Sequence, residues 1–181
     1  MFTKKSICTI PNAITLLRLL LIVPFMVFYR SGRIAAALIV VVLSALSDMA
    51  DGTIARKFNM VSDFGKAFDP VVDKLNQAAA IFCLTEKFPH MIFLLVILII
   101  KELTSGVLTL RAIKKTKAVQ SADWHGKLAT TSLYTTFAVH LLFPQISGRL
   151  SDAMIIVCTL IMLMSFILYT VRNIRYIRSA K

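Results

Sequence analysis

The chain has 181 residues, of which 57% are hydrophobic, and its formal net charge is +12. A soluble domain contains roughly 45–50% apolar residues, so a water-soluble domain of this size could not bury so much apolar surface, and lipid is the expected surrounding. The basic charge then favours anionic lipid headgroups or phosphorylated substrates over nucleic acid, because no basic run alternates with aromatic residues that could stack on bases.

Six apolar stretches follow one another along the chain, separated by short polar or basic breaks. A helix needs roughly 20 mainly apolar residues to cross a bilayer, and each stretch comes close to that length. We therefore predict an all-α integral membrane protein in which residues 1–181 form one domain, a bundle of six transmembrane helices after a short N-terminal interfacial segment. The predicted spans lie near residues 13–29, 34–54, 67–86, 90–110, 127–145 and 151–171.

The first stretch could also be a cleaved signal peptide, because Lys4 and Lys5 precede it. Arg18 interrupts its apolar run, however, and no pattern of small residues typical of a cleavage site follows. We expect this segment to be retained as the first span.

The basic residues are divided unequally between the two ends of the predicted spans. Six spans place both termini on the same side of the membrane. That side carries most lysines and arginines, whereas Arg30, Arg33, Lys87 and Arg149 fall on the other. Because basic residues are enriched in cytoplasmic loops, we predict that both termini are cytoplasmic, in a plasma membrane of the bacterial type.

Five of the nine acidic residues lie between positions 48 and 73. Asp48 and Asp51 end the second stretch, and Asp69 and Asp73 begin the third, so each pair shares one helix face by its spacing. The connection, about Thr53 to Lys66, suits two antiparallel helices and would bring four carboxylates together near the cytoplasmic surface. Such carboxylates are costly at membrane depth and repel one another. Hard divalent cations such as Mg²⁺, which prefer carboxylate oxygens, would resolve the conflict.

A structural role, as a helix cap or the partner of a nearby basic residue, is the alternative for each aspartate. It explains one aspartate well, but four on two matched helix faces poorly. The neighbouring residues also suit a phosphate-bearing ligand. Gly52 and Gly65 would let a diphosphate or nucleotide approach the helices closely, and Arg56 could bind phosphate oxygens bidentately.

The spacing of these residues resembles the signature of the CDP-alcohol phosphatidyltransferase family. The family pattern reads D-x2-D-G-x2-A-R-x8-G-x3-D-x3-D, and the segment from Asp48 to Asp73 matches every fixed position. The resemblance covers most of the chain, since the segment from Ile10 to Arg18 looks like the start of the family's first helix. The segment Phe64-Gly65-Lys66 and the pair Asp69-Pro70 look like the phosphatidylglycerophosphate synthase branch.

The resemblance implies a transferase that moves a phosphatidyl group from CDP-diacylglycerol to a small alcohol and releases CMP. It implies two divalent cations, Mg²⁺ or Mn²⁺, with Asp73 acting as general base as well as metal ligand, and the active site on the cytoplasmic side. A homodimer is expected from the resemblance alone. The implied metal ligands are Asp48, Asp51, Asp69 and Asp73. The implied contacts to the CDP portion are Gly52, Arg56, Gly65, Asn12 and Thr15.

A basic cluster around the connection between spans four and five is the candidate site for the acceptor phosphate. It includes Lys101, Arg111 and Lys127. The segment His125-Gly126-Lys127 looks like a Gly-Lys pair that binds acceptor phosphate in glycerophosphate-using relatives. A buried ion pair with the adjacent Glu102 is the alternative for Lys101.

Glycerol 3-phosphate is the acceptor that the resemblance favours, although two positions in the fourth span depart from the pattern. The synthase branch typically has Arg-Glu where this chain has Lys101-Glu102. The bacterial synthase branch typically carries an arginine where this chain has Thr109, and Arg111 would point about 200° away from it on an ideal helix. Phosphatidylglycerol, giving cardiolipin, and inositol phosphate are the alternative acceptors.

Other classes of membrane protein fit the sequence less well. A transporter would show inverted repeats and helices broken at the midplane by Gly or Pro, whereas most of the glycines and acids here lie towards one end of the predicted spans. A membrane prenyltransferase would carry two separated aspartate-rich motifs and more spans. A structural subunit would leave the acidic cluster unexplained.

Overall fold

The computed structural model describes residues 10–57, 63–116 and 123–179, and its regular secondary structure there is helical throughout. The side chains of residues 10, 11, 49, 51–57, 63, 64, 66, 67 and 112–116 are outside this description. The predicted all-α class is therefore confirmed for the described residues. Their six helices are α1 (Ile10–Arg30), α2 (Ile34–Lys57), α3 (Asp63–Thr85), α4 (Met91–Thr116), α5 (Trp124–Leu142) and α6 (Gly148–Ser179).

Three of these helices are long and apolar enough to cross a membrane: α1 over Asn12–Arg30, α4 over Met91–Arg111, and α6 over its full length. In α2 the apolar stretch Ile34–Asp48 is shorter. Charged side chains near the start of α3 and hydroxyl side chains along α5 make these two helices more polar. That α2, α3 and α5 also cross the membrane stays a prediction.

Large apolar side chains cover much of the surface of the spanning helices. Leu20 on α1, Leu103 on α4 and Leu160 on α6 are 60%, 66% and 59% exposed. In water such a surface would be costly, since each Å² of exposed apolar area costs about 25 cal/mol. The exposed leucines therefore agree with a lipid environment for these helices.

The chain divides into two compact units, residues 1–83 and residues 84–181. The first contains α1, α2 and most of α3. A tight turn joins α1 to α2. In this turn the Arg33 N–H donates a hydrogen bond to the Phe28 carbonyl oxygen at 2.9 Å, and the Gly32 N–H donates one to the Tyr29 carbonyl oxygen at 3.0 Å. Gly32 has φ 71°, which a glycine adopts without strain at the end of a helix. The turn allows α2 to pack back against α1.

Both apolar and polar side chains are buried in the first unit. Phe25 and Tyr29 of α1 stack with ring centroids 6.2 Å apart, and Val72 of α3 is fully buried. Near the start of α1 the buried side chains are instead polar. Buried polar groups need partners, and these partners build the site described below.

In the second unit α6 packs against both α4 and α5. A buried hydrogen-bond network fastens α5 to the start of α6. His140 lies 2.7 Å from the Thr136 carbonyl oxygen through Nδ1 and 2.9 Å from the Ser151 hydroxyl through Nε2. Phe88 packs edge-on against the same imidazole. His140 therefore has a structural role in this unit.

Candidate active site

The start of α1 presents three buried polar residues at a spacing of three. Asn12, Thr15 and Arg18 are 7%, 0% and 2% exposed. A spacing of three keeps successive side chains on neighbouring positions of one helix side. A buried arginine needs anionic partners, because an unpaired buried charge is strongly unfavourable.

Arg18 finds these partners on α2 and α3. Its Nη1 atom donates hydrogen bonds to Oδ1 of Asp48 and to Oδ1 of Asp73, the latter at 2.8 Å. Its Nη2 atom lies 3.9 Å from Oδ1 of Asp69. One guanidinium group thus brings together three of the four aspartates that the sequence predicted to converge.

A second contact from α1 fixes the position of Asp69. The hydroxyl of Thr15 donates a hydrogen bond to Oδ1 of Asp69 at 2.6 Å. Asp69 and Asp73 lie four residues apart, so both carboxylates occupy one face of α3. Thr15 and Arg18 together hold this face of α3 against α1.

The three carboxylates are only partly enclosed. The side chains of Asp48, Asp69 and Asp73 are 53%, 42% and 42% exposed, whereas that of Arg18 is 3% exposed. The Arg18 guanidinium is therefore buried, whereas each of the three carboxylates has an accessible side. A charged ligand could reach them from that side.

The donor set fits a hard divalent cation. Carboxylate oxygens are the ligands that Mg²⁺ and Mn²⁺ prefer, and three carboxylates already share one positive group. Among the side chains that the structure describes, no three Asp, Glu, His or Cys form a ready-made metal site. The fourth predicted ligand, Asp51, is outside that set of side chains.

The predicted CDP contacts are distributed over the same three helices. Gly65 is buried on α3. Gly52 and Arg56 belong to the helical span of α2, although their side-chain positions are outside the described residues. The predicted connection of about Thr53 to Lys66 was wrong at both ends, since α2 continues to Lys57 and α3 starts at Asp63. Ala55, Arg56 and Lys57 have high helix propensity, which favours this extension.

The second unit contains a different polar cluster. Lys101 of α4 is 7% exposed, and its ammonium group lies 2.5 Å from Oε1 of Glu102. The same ammonium group lies 6.0 Å from the ring centroid of Tyr169 on α6. The structure therefore contains the ion pair with Glu102 that the sequence offered as the alternative for Lys101, and contact of Lys101 with the acceptor phosphate stays a prediction.

Tyr169 is the centre of this cluster. The guanidinium carbon of Arg172 lies 4.7 Å from its ring centroid, and the imidazole of His125 packs edge-on at 4.5 Å between centroids. Gly126 lies so close to the ring that a Cβ atom there would overlap with the Tyr169 hydroxyl. The glycine at position 126 therefore makes room for the Tyr169 ring, and a larger residue there would have to displace it.

Asp123 links the other members of the cluster. Its Oδ2 atom accepts a hydrogen bond from Nη1 of Arg172 at 2.5 Å and lies 3.1 Å from Nε2 of His125. The Nδ1 atom of His125 lies 3.3 Å from the Ser165 hydroxyl. These contacts connect the N-terminus of α5 to α6.

The remaining predicted acceptor residues are more exposed. Lys127 is exposed in the first turn of α5, two residues beyond His125, and Arg111 is exposed on α4. Thr109, at the position where the synthase branch typically has arginine, accepts a hydrogen bond from Nδ2 of the buried Asn173 at 3.2 Å. No contact that the structure describes joins Lys101, Arg111 and Lys127 to one another.

The sequence reasoning missed the role of Arg18 and the cluster around Tyr169. The sequence pattern shows Arg18 only as an interruption of the apolar run and as part of a family-like segment. It is the one charged residue among positions 13–29, and a charge at membrane depth indicates function or a buried partner. That signal could have identified Arg18, whereas Tyr169 and Arg172 have no local signal of this kind.

Comparison with known proteins identifies the class to which this site belongs. The sequence model of the family described as CDP-alcohol phosphatidyltransferase matches residues 8–171. The chain therefore belongs to the CDP-alcohol phosphatidyltransferase family, as its aspartate spacing predicted. It is a transferase of phospholipid biosynthesis and an integral membrane protein, and its family uses divalent cations.

Curated relatives are similar over much of their length. A Mycobacterium tuberculosis protein named probable phosphatidylglycerophosphate synthase is 31% identical over 170 residues, which cover 91% of this chain and 79% of the relative. CDP-diacylglycerol–glycerol-3-phosphate 3-phosphatidyltransferase of Bacillus subtilis is 32% identical over 136 residues, covering 67% and 70%. A Mycobacterium bovis protein named putative cardiolipin synthase is 32% identical over 143 residues, covering 77% and 68%.

Proposed function

We propose that this protein transfers the phosphatidyl group of CDP-diacylglycerol to glycerol 3-phosphate and releases CMP. The proposal depends on the convergence of Asp48, Asp69 and Asp73 around the buried Arg18 guanidinium. Phosphoryl transfer from a diphosphate requires a centre that neutralises phosphate charge, and converging carboxylates can bind the divalent cations that would do so. Family membership supports the donor substrate. The names of the M. tuberculosis and B. subtilis relatives support the acceptor.

Asp48, Asp51, Asp69 and Asp73 are the proposed ligands of two divalent cations, Mg²⁺ or Mn²⁺. When bound, the cations supply positive charge to the diphosphate of the substrate and to the departing CMP. The protein contributes carboxylate oxygens from α2 and α3 that lie at the open side of the cluster. The side chains of Asp48 and Asp73 are partly exposed, so a substrate could reach them in the folded protein.

Asp73 is the proposed general base. Its carboxylate takes the proton of the acceptor hydroxyl, while the oxygen of that hydroxyl bonds to the β-phosphorus of CDP-diacylglycerol. The bond from this phosphorus to the oxygen of CMP breaks, and CMP leaves with the electron pair. The hydrogen bond from Arg18 occupies one lone pair of Asp73 at 2.8 Å, and an ionised carboxylate has about four such sites, so it can still accept a proton.

The proposed contacts to the CDP portion are Gly52, Arg56, Gly65 and Asn12. The absence of side chains at the two glycines would allow the diphosphate to approach α2 and α3, and Arg56 would bind phosphate oxygens. Thr15 donates its hydroxyl hydrogen to Asp69. We therefore assign it an indirect effect on the nucleotide through that carboxylate.

Lys127 is the leading proposed ligand of the acceptor phosphate, with Lys101 and Arg111 as further ligands. Lys127 is exposed near the N-terminus of α5, where the helix dipole also favours an anion. The charge of Lys101 is already balanced in part by Glu102. Phosphatidylglycerol, which would give cardiolipin, is the second candidate acceptor, supported by the name of the M. bovis relative.

The proposed active site and both termini face the cytoplasm. Asn12 to Arg18 near the start of α1, Asp48 towards the end of α2, and Asp69 in the first part of α3 belong to the helix ends for which the sequence predicts a cytoplasmic position. The turn with Arg30 and Arg33 belongs to the opposite ends. A homodimer in the bilayer is proposed from family membership.

The test uses the purified full chain in detergent with CDP-diacylglycerol, Mg²⁺ or Mn²⁺, and a panel of alcohols. CMP release is measured for glycerol 3-phosphate, phosphatidylglycerol, inositol phosphate and serine. We expect the highest kcat/KM with glycerol 3-phosphate and no release after chelation of divalent cations. If CMP release is fastest with another alcohol, the assignment of glycerol 3-phosphate as acceptor is refuted. If CMP release does not depend on divalent cations, the proposed metal centre is refuted.

A further inference from the structure

Arg18 is a buried cation that contacts aspartates from both halves of the motif. We propose that Arg18 is a positioning residue, a permanent counter-ion that holds Asp48 of α2 and Asp73 of α3 together before any divalent cation binds. The inference rests on the proposed function, because it takes these aspartates to be the metal ligands. It adds a residue of α1, outside the motif, to the assembly of the centre.

Arg18 and the carboxylates each need the opposite charge of the other. Its side chain is 3% exposed, and apolar residues flank it in the sequence. Without anionic partners the guanidinium would be strongly unfavourable in that environment. The carboxylates need Arg18 for the same reason, since Asp48 and Asp73 would otherwise repel each other across the two helices.

The geometry suits a permanent role. The hydrogen bonds from Arg18 reach Oδ1 of Asp48 and Oδ1 of Asp73, and the hydrogen bond from Thr15 reaches Oδ1 of Asp69. A carboxylate bound through one oxygen can coordinate a cation through the other. Arg18 can therefore stay in contact with the carboxylates when the centre is loaded.

Two opposite effects follow for the binding of a divalent cation. The fixed positive charge of Arg18 repels an arriving cation and lowers its affinity. The same residue orients the carboxylate oxygens, which favours the productive arrangement. Removal of the charge should therefore strengthen cation binding and still weaken catalysis, a combination that a purely structural role would not produce.

The experiment compares the full-length wild type with Arg18→Met, Arg18→Lys and the matched control Arg33→Met, an exposed arginine of the α1–α2 turn. Thermal melting is followed in detergent with and without Mn²⁺ alone, and Mn²⁺ binding is measured by electron paramagnetic resonance. Without Mn²⁺, we expect R18M to have a lower melting temperature than the wild type. Addition of Mn²⁺ should raise the melting temperature of R18M more than that of the wild type, and R18M should bind Mn²⁺ about tenfold more tightly because the charge repulsion is lost. R33M should match the wild type in all measurements.

Activity supplies the second readout. At saturating Mn²⁺, R18M should show kcat lowered by about tenfold or more, because the carboxylates are no longer oriented. R18K keeps the charge but loses the branched guanidinium, whose Nη1 contacts Asp48 and Asp73 while Nη2 lies 3.9 Å from Asp69. Its Mn²⁺ affinity should therefore stay near that of the wild type while kcat falls. If R18M does not fold, the Mn²⁺ affinity and kcat of R18K alone test the positioning role of Arg18.

The inference is overturned if Mn²⁺ stabilises R18M and the wild type equally, or if R18K retains wild-type kcat. A wild type that does not bind Mn²⁺ would instead refute the metal centre of the proposed function. The two failures are distinguishable, because the first is a comparison between variants and the second concerns the wild type alone.

Discussion

Replacement of Asp73 by Asn tests the assignment of the general base. Asparagine has nearly the same shape, and its Oδ1 atom can still accept the hydrogen bond that Arg18 donates at 2.8 Å. Its amide group cannot take a proton from the acceptor hydroxyl. Loss of a general base lowers rates by about 10²–10⁴, which corresponds to about 3–5 kcal/mol in the activation free energy.

The same replacement should change the folding stability little. A hydrogen bond to a charged group contributes about 1.5–3 kcal/mol, but the Asp73 side chain is 42% exposed and water screens its charge. The substitution also removes a negative charge next to Asp48. Because the hydrogen bond is retained in neutral form, we expect the free energy of unfolding to change by less than about 1 kcal/mol.

CMP release and CDP-diacylglycerol binding are measured on the same preparation of D73N. We expect the rate of CMP release to fall by about 10²–10⁴ and CDP-diacylglycerol binding to remain largely intact. Asp152→Asn is the matched control, since Asp152 is a half-exposed aspartate that pairs with His90 in the other unit at 2.6 Å. Turnover of D73N at the wild-type rate would refute the role of Asp73, and a loss shared by D152N would point to a general effect of removing a carboxylate.

Three further predictions concern the contacts around each cluster. Gly126→Ala should destabilise the protein by about 1–2 kcal/mol in chemical denaturation, because displacement of the Tyr169 ring costs more than the helix propensity of alanine gains. In a Tyr169→Ala background the same change should become stabilising, and additive effects would contradict this reasoning. Thr15→Val should lower CMP release by about fivefold at limiting Mg²⁺ through loss of one hydrogen bond of about 1 kcal/mol, and an unchanged Mg²⁺ titration would argue against it. Lys101→Met should raise KM for glycerol 3-phosphate and lower the melting temperature. Adding Glu102→Gln should restore the melting temperature but not KM, whereas recovery of both would limit Lys101 to its ion pair.

Much of the candidate site could be predicted from local patterns. The spacing of three and four residues places the paired aspartates on helix faces whatever the rest of the chain does. Exposed leucines on α1, α4 and α6 follow from the apolar stretches. The same patterns did not give the end of α2, because Gly52 and Thr53 resemble a break, whereas the helix continues to Lys57.

The contacts between helices could not be predicted in this way. Arg18 and Asp73 are 55 residues apart in sequence. The local sequence around either residue does not indicate that the other is its partner. The cluster around Tyr169 also depends on packing between α5 and α6, with Gly126 as its only sequence signal. A glycine in the first turn of a helix has several explanations, so close packing against a tyrosine could not be selected among them.

The charge of the assembled centre gives Arg18 a further consequence for the substrate. In the proposed centre, four ionised aspartates would carry four negative charges, which two divalent cations would cancel. Arg18 would then leave this centre with a net positive charge close to the carboxylates that it contacts. A diphosphate is anionic, and an attractive potential in a partly desolvated site strengthens its binding. A cation supplied by α1 therefore adds an electrostatic reason for the diphosphate to bind where the aspartates of α2 and α3 converge, beyond the charge that the metal ions themselves supply.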